Sequence, residues 1–145
     1  MEEQSDNTFQ KSAPPKRPQI LSVLCILSFI GSCMSGFSFF MVYSAYDEVL
    51  PQLQDYAGKF PGMEYILSAP KGFFLTGFIL YTFSFFGANL MWRLKKVGFH
   101  FYAAAQIALV LLPMIYIKGF PLPVIDGLVS ALFIVLYFKH YKIFV

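Results

Sequence analysis

Charged residues are scarce in this sequence and absent from most of its long apolar stretches. Asp, Glu, Lys and Arg make up 13% of the 145 residues, whereas hydrophobic residues make up 57%. Soluble domains carry roughly 25% charged residues, so a soluble fold would leave much of this apolar surface in water. The composition excludes an ordinary soluble domain and predicts segments that face lipid, in a chain whose length suits a single domain.

Cysteine is almost as scarce. Cys25 and Cys33 lie eight residues apart in one apolar stretch, which separates them by about 12 Å along a helix and prevents a disulfide between them. There is no C-x-x-C motif, so a disulfide scaffold, a zinc site and a thioredoxin-like redox pair are unsupported. Both cysteines are interpreted as small packing residues of a membrane helix.

Positive charge is also confined to a few places. The net charge is +3, but the basic residues form short clusters at the ends of apolar runs, where lipid headgroups rather than nucleic acid are the natural partner. The lipid bilayer is therefore the partner predicted from composition, and no nucleic acid is expected.

Four apolar runs follow one another, at residues 20–46, 72–92, 97–117 and 122–138. About 20 apolar residues cross a hydrocarbon core of roughly 30 Å as a helix. The first run is too long for a signal-peptide core, although Ser44 and Ala45 offer a weak alternative cleavage site. None of the runs alternates like a β-barrel strand. We predict an all-α integral membrane four-helix bundle over residues 19–145, running up-down-up-down, after a disordered cytoplasmic tail at 1–18.

The segment at 47–71 is polar and acidic and is predicted to be an external loop. Its apolar residues share one face of a helix, which favours a short helix on the membrane surface. These residues are Val49, Leu50, Leu53, Tyr56 and Ala57. The alternative is a simple extension of the first span.

Basic residues set the predicted orientation. Eight of them fall on one side of the four spans and three on the other, so the positive-inside rule places both termini in the cytoplasm. The eight are Lys11, Lys16, Arg17, Arg93, Lys95, Lys96, Lys139 and Lys142, and the three are Lys59, Lys71 and Lys118. Aromatic anchors are expected at both interfaces: Trp92 and Tyr137 inside, and Tyr43, Tyr46 and Tyr116 outside.

Small residues recur at helical spacing in every run, and such stripes let membrane helices pack closely. They are Ser28, Ser32 and Gly36 with Gly31 and Ser35 in the first run; Gly77, Ser84 and Ala88 beside Tyr81 in the second; Ala104 and Ala108 in the third; and Gly127 and Ala131 in the fourth. Packing within one chain is the main interpretation, and a homodimer interface is the alternative.

A few polar groups lie inside the runs. Gln106 is deep in the third, so its amide needs a hydrogen-bond partner, for which Ser84 or a backbone carbonyl is expected. Pro113 should kink or loosen the same helix. Asp126 falls one turn into the fourth, where a carboxylate favours the positive end of the helix dipole.

His100 and His140 are the one suggestive pair of metal-binding residues. Both lie about twenty residues from the turn near Phe120, so haem or metal ligation is conceivable. With two ligands at the interface and no carboxylate to orient either ring, we predict that they hold neither. No catalytic, cofactor-binding or metal residue is predicted, and no cofactor is expected.

The basic hairpin Met91-Trp92-Arg93-Leu94-Lys95-Lys96-Val97-Gly98-Phe99 follows a polar tail, a first span and an acidic outer loop. In this layout the chain resembles small bacterial four-span membrane proteins of uncharacterised function. The resemblance implies a multi-pass protein of the bacterial inner membrane and supplies no functional residues.

Two functions are compatible with this pattern. A non-enzymatic structural or interaction component, with a homo-oligomer or another membrane protein as partner, is favoured by packing faces without buried charges. The alternative is a small oligomeric transporter or channel, although no charge lies near the middle of a run. An enzyme is not expected, because Ser28, Ser32 and Ser35 have no histidine at their depth to act as a base.

Overall fold

The computed structural model describes residues 16–145, and this part of the chain is helical throughout, with no strand. Its six α-helices are α1 (Gln19–Ser44), α2 (Tyr46–Gln54), α3 (Met63–Leu67), α4 (Lys71–Trp92), α5 (Lys96–Tyr116) and α6 (Val124–Lys139), and a 3₁₀ helix follows at Tyr141–Ile143. The all-α prediction is confirmed. Most of the predicted tail, residues 1–15, lies outside the described residues.

Three of the helices, α1, α4 and α5, are long and apolar enough to cross a membrane. They coincide with the first three predicted runs to within two residues at each end. The fourth run gives the shorter α6, of 16 residues, which extends about 24 Å at 1.5 Å per residue. It begins at Val124 rather than Leu122, because Pro121 and Pro123 precede it and Pro123 occupies its N-cap.

The segment predicted to be an external loop contains two short helices, α2 and α3. Ala45 leaves helical geometry, with φ −108° and ψ 27°, and separates α2 from α1. The short helix predicted within this loop is therefore present, and the first span does not simply continue. It ends at Gln54, so Tyr56 and Ala57, which were assigned to its apolar face, lie beyond it.

The ends of the long helices meet in two groups. At one end the Arg17 guanidinium donates to the Trp92 carbonyl and lies 4.3 Å from the indole centroid. There the Val145 N–H also donates to the Leu94 carbonyl, at 2.7 Å. At the other end the Tyr46 hydroxyl donates to the Ala69 carbonyl, at 2.8 Å. The basic hairpin thus lies near the start of α1 and the end of the chain, away from the acidic loop.

Small residues line the α1–α4 contact. Ser28, Ser32 and Gly36 are buried on α1, and a Cβ atom on Gly36 would lie 3.3 Å from the Cβ of Tyr81. On α4, Gly77, Ser84 and Ala88 are buried too. The packing faces predicted for these two helices are confirmed. Gly31 is exposed, and a Cβ atom on it would meet nothing within 4 Å, so Gly31 lies outside this contact.

The α4–α5 contact uses glycines that the predicted stripes did not include. A Cβ atom on Gly87 would lie 2.7 Å from the Tyr102 nitrogen, and one on Gly98 would lie 2.6 Å from the Met91 nitrogen. The backbones of the two helices therefore touch at this point. The prediction that α5 packs through Ala104 and Ala108 is wrong: Ala104 is exposed and Ala108 is half-buried. Because Gly98 fixes the contact, α5 buries the face that carries Phe99, Tyr102, Ala105 and Leu112.

Helix α6 is held mainly at one end. Tyr137 is its only buried residue among those described, and the ring lies in the apolar cluster around Leu21, Cys25 and Met91. Gly127 is half-buried and Ala131 is exposed, so the small pair predicted on α6 does not form a tight helix contact. The N-terminal half of α6 is therefore less closely packed than its C-terminal end.

Candidate functional site

Hydrogen-bonded side chains form a polar layer at the middle of the long helices. Gln106, the central residue of α5, donates from Nε2 to Ser84 Oγ at 3.2 Å, and its Oε1 accepts from Ser130 at 3.0 Å. The Ser32 hydroxyl donates to the same Ser84 oxygen at 3.1 Å. The interhelical hydrogen bond expected for Gln106, with Ser84 as acceptor, is confirmed. The layer takes one residue from each of α1, α4, α5 and α6.

A second polar group lies nearer the basic end of the bundle. The Ser28 hydroxyl donates to Tyr102 at 3.2 Å, and it lies 2.9 Å from the Tyr137 hydroxyl. The two tyrosine rings stand edge to face, with centroids 5.1 Å apart. Tyr137 was predicted to anchor the inner interface and is instead fully buried. The prediction was wrong because a partner for the hydroxyl, Ser28 of α1, is available inside the bundle.

Tyr102 and Tyr137 are functional candidates that the sequence did not reveal. Tyr102 lies one turn before Gln106, so the two polar groups share one face of α5. The spacing of four residues between Tyr102 and Gln106 could therefore have identified Tyr102 from the sequence. The rotation of α6 about its axis decides that Tyr137, rather than a neighbouring aromatic residue, enters the core. Periodicity in a uniformly apolar helix does not fix that rotation.

A cleft runs between the N-terminal half of α6 and the helices α1, α4 and α5, and Ser130 bonds to Gln106 across it. It consists of two adjoining spaces of about 180 Å³ and 190 Å³ that share Tyr81, Gln106, Val129 and Ser130 as lining residues. The first reaches Ser28, Ser35 and Tyr102 inside the bundle. The second extends along α6 to Pro113, Pro123 and Asp126. We call these two spaces together the α6 cleft.

The α6 cleft has a charged side chain, that of Asp126, at its mouth. Asp126 lies in the first turn of α6, as predicted, and is exposed. It is the only charged side chain among the described residues that line the cleft. Within residues 16–145 the one ion pair joins Lys71 to Asp47, at 3.8 Å, so no lysine or arginine of this part neutralises Asp126. The cleft therefore combines a free carboxylate at its mouth with hydroxyls and an amide inside.

The buried hydroxyls are arranged for hydrogen bonding rather than for nucleophilic attack. Ser28, Ser32 and Ser84 bond to phenols, to one another and to the Gln106 amide. An activated serine needs a base at hydrogen-bond distance, and none of these partners is one. In the described part of the chain no three His, Cys, Asp or Glu side chains lie close enough together to hold a metal ion.

The two histidines make separate contacts near the basic end. His100 Nε2 lies 3.5 Å from the Tyr141 hydroxyl, whereas His140 Nδ1 lies 2.9 Å from the Leu136 carbonyl of its own helix. His100 is exposed and His140 is half-buried. Each ring therefore has a local protein partner, and neither lines the α6 cleft.

Helices α1 and α4 also carry an apolar groove of about 300 Å³. Four phenylalanines line it, together with Cys33 and Gly36: Phe37, Phe40, Phe78 and Phe85. Such a surface matches lipid acyl chains and offers few polar groups to a ligand.

Comparisons of the chain with models of protein families, with curated proteins and with solved structures found no match. Its function is therefore inferred from its own residues.

Proposed function

We propose that the chain is a multi-pass protein of a bacterial inner membrane, in which α1, α4, α5 and α6 cross the bilayer with both termini in the cytoplasm. Three helices long and apolar enough to span support this, as does the grouping of basic segments at one end. The side chains of α6 are apolar over most of its length. Tilted neighbours and local thinning of the bilayer accommodate a short span at modest cost.

Within the membrane we assign the protein a non-enzymatic structural or interaction role. The observation that carries this role is the hydrogen bonding of Ser32, Ser84, Gln106 and Ser130 across four helices. Such bonds, each worth about 1 kcal/mol or less between membrane helices, fix their arrangement. Side chains whose hydrogen-bonding groups already pair with one another in this way hold the helices in place and are not activated for catalysis.

Affinity purification in mild detergent, followed by mass spectrometry, tests the interaction role. We expect a stoichiometric protein partner with the wild-type chain and with Gly31→Ala, whose added methyl group meets nothing within 4 Å. Gly98→Leu should lose that partner, because it disrupts the α4–α5 contact on which the bundle depends. A partner retained by Gly98→Leu would show binding that does not need the fold, and would contradict the proposal.

A small oligomeric transporter or channel is the second candidate, and the α6 cleft favours it. The cleft places polar groups between Asp126 at the end of α6 and Gln106 at the middle of α5, as a path for a polar solute would require. Purification of a homo-oligomer with no other protein would favour this candidate. Uptake of a solute into vesicles that contain the protein would establish it.

A further inference from the structure

We propose that the α6 cleft binds a small organic ammonium ion, with the charge of the ligand beside Asp126 and its body against Tyr81, Gln106 and Ser130. This ligand site goes beyond a structural role. It rests on the proposed topology in one respect, the side of the membrane from which the ligand enters. Its basis is the lining of the cleft, in charge, hydrogen-bonding capacity and size.

The charge of the lining selects cations. Asp126 is its one charged side chain among the described residues, and no lysine, arginine or histidine lines either space. A concave surface with charge of one sign and low-dielectric walls concentrates ions of the opposite sign. An anion would meet the carboxylate at the mouth without compensation inside. The cleft therefore admits cations and excludes carboxylates and phosphates.

The chemistry of the lining favours an organic cation over a calcium ion. Calcium takes six to eight oxygen ligands, usually from several carboxylates, whereas this cleft has one carboxylate. The oxygens of Tyr81, Gln106 and Ser130 can each accept a hydrogen bond from an ammonium N–H. The rings of Tyr81, Tyr102 and Phe133 also line the space, and aromatic faces attract ammonium groups.

The size of the cleft restricts the ligand further. Each of the two spaces, of about 180 Å³ and 190 Å³, is smaller than the roughly 300–1,000 Å³ pockets that hold drug-sized molecules, and together they reach only the lower end of that range. Gln106 and Ser130 line both spaces where they adjoin, and Pro113 and Pro123 line the second space beside Asp126. A small amine fits these limits, and ethanolamine is the simplest probe because it joins an ammonium to one hydroxyl.

Thiol labelling tests the charge preference directly. In a background of Cys25→Ala and Cys33→Ala, Ser130→Cys places a thiol in the cleft and Ser68→Cys places one on the exposed loop before α4. Each variant is treated with methanethiosulfonate reagents that carry either a trimethylammonium or a sulfonate group. Relative to Ser68→Cys, we expect Ser130→Cys to favour the cationic reagent by about tenfold. No reaction at Ser130→Cys, or equal relative rates, would overturn the proposal.

The role of Asp126 is tested in the same assay. Asp126→Asn should abolish the preference of Ser130→Cys for the cationic reagent, and Asp126→Glu should retain it. Asp55→Asn removes an exposed carboxylate that does not line the cleft, so it should change nothing. A preference that persists in Asp126→Asn would refute the assignment. The Asp126→Glu variant guards against loss of fold, since it keeps the charge.

An ammonium group can come from a soluble amine or from the ethanolamine headgroup of a lipid, and protection of Ser130→Cys separates the two sources. In detergent, ethanolamine should slow labelling, whereas uncharged ethylene glycol should not. Protection only in bilayer discs of phosphatidylethanolamine, and not in discs of phosphatidylcholine, would identify the headgroup as the source. Protection in neither setting would overturn the ammonium site.

The topology is checked separately, in intact cells with the membrane-impermeant reagents. Ser68→Cys should react from outside and Lys95→Cys should not. The reverse result would refute the proposed orientation but leave the cleft testable in detergent, where access does not depend on sidedness. If Ser68→Cys reacts from outside the cell but neither ethanolamine nor phosphatidylethanolamine protects Ser130→Cys, the ligand site is refuted and the orientation is supported.

Discussion

Helices α4 and α5 meet through their backbones, whereas α6 joins the bundle through side chains. At the first contact Gly87 and Gly98 leave no room for even a Cβ atom, which would lie within 3 Å of the neighbouring backbone. At the second, Tyr137 is the one buried residue, and a cleft lined by Gln106, Asp126 and Ser130 runs along the rest. One region of the molecule is thus built for close packing, and the other leaves room for polar side chains between the helices.

The largest effect is expected where the backbones touch. Gly98→Ala adds a Cβ atom 2.6 Å from the Met91 nitrogen and 2.7 Å from the Gly87 oxygen, so the two helices must move apart. We expect a loss of about 3 kcal/mol or more in the free energy of unfolding, measured by denaturant titration in detergent. Gly31→Ala is the matched control. Equal stability of the two variants would mean that the α4–α5 contact is not tight.

A smaller loss of stability is expected at the α1–α4 contact. There a Cβ atom added to Gly36 would lie 3.3 Å from the Cβ of Tyr81. Gly36→Leu should lower the free energy of unfolding by about 1–3 kcal/mol through overpacking. Ser38→Leu, two residues away on the exposed side of α1, should leave it nearly unchanged. Wild-type thermal stability of Gly36→Leu would place this stripe against lipid.

A still smaller loss of stability is expected when the polar layer that attaches α6 is disrupted. Gln106→Leu removes the hydrogen bonds to Ser84 and Ser130 and should cost about 1 kcal/mol. Hydrogen exchange should rise in α6 more than in α4 and α5. Thr82→Val serves as the control, because the Thr82 hydroxyl bonds only to the Phe78 carbonyl of its own helix. Uniform exchange in all helices would contradict a separately held α6.

The smallest effect is expected from the histidines, which lie outside both helix contacts. His100→Ala with His140→Ala should change the free energy of unfolding by no more than about 0.5 kcal/mol, as for ordinary surface substitutions. The purified protein should show no Soret band and no stoichiometric metal by mass spectrometry. One equivalent of haem or metal, lost with either substitution, would move the protein to electron transfer or metal handling.

The sequence predicted the elements of this fold better than their contacts. Apolar length predicted the bounds of α1, α4 and α5 to within two residues, because a long apolar stretch away from water satisfies its backbone hydrogen bonds by forming a helix. Sequence does not determine which face each helix turns to its neighbours, since uniformly apolar helices have weak periodicity. Ala104 was chosen on α5 although Gly98 makes the contact, because small residues at suitable spacing occur on more than one face.

The candidate site could be predicted only in part. A deep amide requires a partner, so Gln106 and Ser84 could be paired from their depth in adjacent helices. Asp126 was placed correctly in the first turn of α6 and was explained by the helix dipole alone. Its relation to Tyr81 and Ser130 could not be foreseen, because the cleft exists only through the way α6 diverges from the other helices.

Reporter fusions test the central claim, four membrane crossings with α6 as the last, most directly. Fusions after Phe9, Lys96 and Val145 should behave as cytoplasmic, and a fusion after Lys59 as external, because eight basic residues flank one side of the spans and three the other. The fusion after Val145 is decisive for α6, whose 16 residues make it the shortest of the long helices. A cytoplasmic signal there is the predicted result. An external signal after Val145 would show that α6 does not cross, and one after Lys96 would invert the whole arrangement.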